Sequence, residues 1–130
     1  MNNEEAYLWV KNFVDRFKEL ARLVLNLDTL SNNQFENLQK AVKKLLNDVE
    51  NAPREAVDKF HKLFGKWYWM DPMDLAMNLV DFEEVRTTTY FKKIKELENI
   101  IKNNLKDPDE FVKKYEVTKE EVEIIRKFFG

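Results

Sequence analysis

Ala6, Val10, Phe13, Phe17, Leu20, Val24 and Leu27 follow one another at intervals of four and three residues. That spacing lines one side of an α-helix and turns it toward a partner. The pattern predicts a first helix over residues 3–27. Tyr7, Val14 and Ala21 widen its stripe to that of a core-packed helix, while Leu8, Trp9, Leu23 and Leu25 fall off it and leave apolar surface for another contact.

Ser31 and Gln34 have the spacing of a capping box, and Leu30 and Phe35 that of a hydrophobic staple, so a second helix should begin at Asn32. Phe35, Leu38, Val42, Leu45 and Val49 then continue to about Glu50, where Asn51-Ala52-Pro53 ends it. From Pro53 a third helix carries Val57, Phe60, Phe64 and Trp67 and should stop between Gly65 and Met70. Asp71-Pro72-Met73-Asp74 reads as a cap, a first-turn proline and an acidic first turn, opening a helix with Leu75, Leu79 and Phe82. Thr87-Thr88-Thr89 is a weak point where that helix would end or bend. Phe91, Ile94, Leu97, Ile101 and Leu105 define the next. After Lys106-Asp107-Pro108, short helices are expected near residues 109–115 and 119–129. The expectation is one all-α bundle of five to seven helices over residues 1–130, with a helix-turn-helix-like hairpin at about 108–129. Its core would hold Val10, Phe13, Phe17, Leu38, Val42, Leu45, Phe60, Phe64, Leu79, Ile94, Ile101 and Val122.

Composition agrees with packed helices and short turns: of 130 residues only 2 are Gly and 3 Pro. The 22 basic and 24 acidic residues are mixed along the chain, so no linear stretch marks a nucleic-acid or anionic-membrane footprint. With no Cys, thiolate catalysis, disulfides and thiolate metal sites are excluded, and with 1 His any metal would rest on carboxylates. No cofactor or metal is expected. No apolar run approaches the roughly 18 residues of a membrane span, and a cytoplasmic location is expected. The weight of Asn, Lys and Phe fits an AT-rich genome; the single Ser and the absence of Cys lean towards a thermophile while the Asn content leans away, and a viral source is the other expectation.

Phe111, Val112, Tyr115, Val117, Val122 and Ile125 fall where a helix-turn-helix places its buried side chains, with Thr118 at the second cap. Residues 108–127 therefore resemble the helix-turn-helix family, which implies DNA binding. They depart from it at Glu116, where the family's turn has Gly, and at Val112, where a small residue is usual. The second helix would present Lys119, Glu120, Glu121, Glu123, Arg126 and Lys127, and three carboxylates repel phosphates, so the template is read as packing. Val122, Ile125, Phe128 and Phe129 look like a sliding-clamp-interacting peptide, in which an aliphatic and two aromatics plug a pocket. Here Val122 replaces the opening Gln. Arg54 and His61 resemble the signature of the HEPN ribonucleases, which implies phosphate binding by Arg54 and proton transfer by His61. Glu55 stands where that family has Asn, Asp or His, and no ribonuclease activity is expected. Carboxylate sets such as Asp81, Glu83 and Glu84 have no matching histidine on a second helix.

Trp67-Tyr68-Trp69-Met70 places four large side chains in succession, more than one helix face can bury. With Trp9 they form the candidate interface. The function expected is a non-enzymatic interaction or assembly protein working through hydrophobic contact with a protein partner or with itself. The alternative is a nucleic-acid-binding protein, either a helix-turn-helix binder or a HEPN-like ribonuclease.

Overall fold

A computed structural model of the protein describes residues 1–65 and 70–130. Among them there are seven α-helices and no strand: α1 Asn3–Val24, α2 Asn32–Glu50, α3 Arg54–Phe60, α4 Pro72–Val80, α5 Glu84–Asn104, α6 Pro108–Tyr115 and α7 Lys119–Phe129. A 3-10 turn, Leu27–Thr29, joins α1 to α2, and a π-helical turn, His61–Gly65, extends α3. The protein is a single all-α bundle. α1 runs through its middle, touching α2, α3, α4, α5 and α7. All twelve expected core residues are buried.

The helix starts follow their caps. The Ser31 side chain accepts from the Gln34 amide at 3.1 Å and the Gln34 side chain accepts from the Ser31 amide at 2.8 Å, so α2 begins at Asn32 as its sequence predicts. Asp71 caps α4 through the Met73 amide, at 2.8 Å, with Pro72 in the first turn. The membrane expectation is met in this form: among the described residues no helix is long and apolar enough to cross a bilayer.

Three boundaries differ from expectation. α1 stops at Val24, and Leu27 lies in the 3-10 turn, half-buried against the core. The third helix becomes a π turn at His61. The break before α5 falls at residues 81–83 and not at the threonines. There Phe82 adopts φ 50°, its amide donates to Leu79 O and the Glu83 amide to Asn78 O, both at 3.1 Å. Those bonds make a Schellman stop whose left-handed position usually holds Gly. α5 then runs unbroken through Thr87, Thr88 and Thr89. The Thr88 and Thr89 hydroxyls donate to the carbonyls of Glu84 and Val85, while the Thr87 hydroxyl is buried without a partner among the described residues.

Candidate functional site

α6 and α7 pack on each other as a C-terminal hairpin. Phe111, Tyr115, Val117, Val122 and Ile125 are buried and Val112 is half-buried. Glu116 takes the left-handed turn position at φ 56°, where the resembled family has Gly. Lys119, Glu120, Glu123 and Lys127 are exposed on α7, and Arg126 donates to Glu123 at 2.6 Å and to Leu105 O at 2.9 Å. Glu121 does not join that face; it is 5% exposed.

Glu121 instead ties the hairpin to the bundle. Its Oε1 accepts from the Thr118 amide at 3.2 Å, completing a capping box, while Oε2 accepts from the Tyr7 hydroxyl at 2.6 Å and from Lys59 Nζ at 2.9 Å. Burial pushes the Glu121 carboxyl up, but the Tyr7 and Lys59 hydrogen bonds, the Thr118 amide and the Lys59 charge outweigh it and hold the group at about 2. Burial likewise raises Tyr7, and the adjacent carboxylate adds to the effect. The Thr118-x-x-Glu121 spacing is the sequence signal for the cap; nothing in the linear pattern points to Tyr7 or Lys59.

At the π turn the chain opens a cavity of about 740 Å³, lined by His61, Lys62, Asp71, Asp74, Tyr115 and Glu116 among others. A Cβ at Gly65 would lie 3.1 Å from His61 Cδ2 and 3.2 Å from Met70 O, so a larger residue there would require both neighbours to give by a few tenths of an ångström. His61 Nε2 stands 3.4 Å from Asp71 Oδ2, and Asp71 Oδ1 is held by the cap of α4. Lys62 Nζ donates to Glu116 O at 2.9 Å. Burial raises Tyr115, opposed by a hydrogen bond from Asn104. The structure thus pairs His61 with Asp71 and does not bring in Arg54, which is exposed in the first turn of α3 and does not line the cavity. Among the described residues no three His, Asp or Glu side chains gather closely enough to hold a metal ion.

The candidate interface divides. Trp67, Tyr68 and Trp69 lie outside the described residues. Met70, expected at the surface, is 2% exposed and belongs to the core. Trp9 is half-buried, stacked on Phe13 at 5.4 Å, and edges a hollow beside the Arg16–Asp48 ion pair. The residues of the clamp-peptide resemblance pack as a core face: Val122, Ile125 and Phe129 are buried and only Phe128 is partly open, because their helical spacing points them into the bundle. Leu23, left over from the α1 stripe in the sequence, lies at the end where α1 meets α2 and α4 meets α5, and the pairing of Phe35 with Phe82 there is not visible in the sequence. Phe35 and Phe82 stack there at 5.5 Å, both half-buried, Leu23 and Leu30 share a hollow, and Val85 is 74% exposed. Set beside known protein families, curated proteins and solved structures, the chain matches none of them.

Proposed function

We propose that the protein is a non-enzymatic helical interaction protein that works by hydrophobic contact, and that it associates with itself through the end carrying Leu23, Phe35, Phe82 and Val85. The observation that supports this most is Val85, the most exposed of the large apolar side chains among the described residues, three positions along the chain from Phe82 of the half-open Phe35–Phe82 stack. Fully burying an aliphatic side chain of this size is worth roughly 2 kcal/mol, so several together favour a covering surface.

Sedimentation of the full chain over rising concentration tests the reading. Association should survive about half-molar salt, because burial of apolar surface is little screened whereas binding to nucleic acid weakens steeply. Val85→Lys should dissociate the assembly and leave the helical content of the protein unchanged, since the side chain contributes little to the core. Trp67→Ala and Trp69→Ala, chosen from the sequence, test the aromatic segment separately. A protein that stays monomeric at every concentration, and captures RNA or DNA at low salt only, would overturn the proposal in favour of the nucleic-acid alternative.

A further inference from the structure

Lys18 of α1 meets Glu98 of α5 at 2.7 Å, and Arg22, one turn further along α1, lies 5.4 Å from the centre of the Phe91 ring, two turns back along α5. The helices are therefore antiparallel. Between them is a groove of about 280 Å³ whose walls include Lys18, Arg22, Lys95, Asn99 and Lys102. Its carboxylate, Glu98, is engaged by Lys18. Arg22, Lys95 and Lys102 have no carboxylate within salt-bridge distance among the described residues, and Lys95 Nζ joins Arg22 over Phe91, 5.1 Å from the ring centre.

Arg22, Lys95 and Lys102 are exposed, so water and salt screen their mutual repulsion, yet they gather on two facing walls of one groove. Arg22 and Lys102 stand in the last turns of their helices, where the helix dipole favours positive charge. That account does not reach Lys95, in the middle of α5. Lys95 and Lys102 are two turns apart, about 10 Å along the axis, so the charges form a row and not a point.

From this arrangement we infer that the α1–α5 groove binds a free oligophosphate, whose phosphoryl oxygens are held by Arg22, Lys95 and Lys102. Phosphate oxygens accept hydrogen bonds from both ammonium and guanidinium groups, and a short chain of them follows a row of cations. The Phe91 ring already carries two cations and offers little open face to a base. Single-stranded nucleic acid, which relies on aromatic stacking as well as on charge, is the less suited occupant.

Calorimetry with the full chain and tripolyphosphate at about physiological salt tests the inference. Saturable binding to one site is expected, weakened roughly tenfold or more by Lys95→Glu and by Lys102→Glu, in keeping with the loss of one charge-assisted contact. Lys40→Glu, an exposed change on α2 outside the groove, should leave the affinity as it is. Lys95→Gln gives the same reading if the charge reversal disturbs folding, which thermal melts monitor. Absence of saturable binding, or an equal loss in Lys40→Glu, overturns the site. An oligothymidylate that binds through the same lysines more tightly than tripolyphosphate overturns the choice of a free oligophosphate.

Discussion

Glu121 concentrates more of the protein's chemistry than any other described side chain, because one oxygen caps α7 while the other holds Tyr7 and Lys59. Its folded pKa of about 2 lies below the ordinary carboxylate value of 4.5. The carboxylate therefore stabilises the fold fully above about pH 4.5, and that contribution, of order 3 kcal/mol, is lost as pH falls from there through 2. Glu121→Gln should lower stability near neutral pH by a few kcal/mol and flatten the dependence on pH in this window, measured as urea midpoints from pH 2 to pH 7. Equal pH dependence in both proteins would count against the network. Glu116 offers the opposite test. At φ 56° it occupies a conformation that costs a residue with a Cβ about 1 kcal/mol, so Glu116→Gly should stabilise by roughly 0.5–1 kcal/mol in the same measurement, and Glu116→Val should destabilise. The sequence reveals the strain at Glu116, since a glycine is missing where a turn wants one. It hides Glu121, because a carboxylate among Lys119, Glu120 and Glu123 reads as solvated until Tyr7 and Lys59 arrive from distant elements.

Helix starts were legible wherever a side chain announces them. Ser31 with Gln34, Asp71 with Pro72 and Asp107 with Pro108 each carry the donor, acceptor or fixed φ that a first turn needs, and each lies at the start of a helix. Ser31→Ala should cost about 1 kcal/mol in equilibrium unfolding, and an unchanged midpoint would argue against the cap. Helix ends were less legible. The stop after α4 puts Phe82 at a left-handed position, so the usual glycine signal is absent, and the ring's stack on Phe35 helps hold it there. The threonine run stays helical with Thr87 packed inside the bundle, and the Thr88 and Thr89 hydroxyls are satisfied by backbone carbonyls one turn back. The π turn at His61–Gly65 has no signature of its own beyond Gly65, whose small size matters only once Met70 O comes within reach.

For the molecule as a whole, periodic spacing was enough to identify an all-α bundle and its core, since burying a stripe on each of several helices leaves few other solutions. It was not enough to show which surfaces stay open: Met70 went inside, while the Phe35–Phe82 end and the row of cations between α1 and α5 arise from pairings far apart in sequence. The bond between Tyr7 and Glu121 has a consequence in time. It joins residues 114 apart, the first helix to the last, and contacts of such separation carry a large closure entropy before they return anything. Tyr7→Phe should therefore leave the refolding rate nearly unchanged and speed unfolding, giving a φ-value near zero in stopped-flow chevrons. An equal slowing of refolding would place this closure in the folding nucleus. If α7 docks last, the hydroxyl of Tyr7 waits in water while the rest of the bundle assembles, and the lifetime of the native state is set at the seam where the two ends of the chain meet.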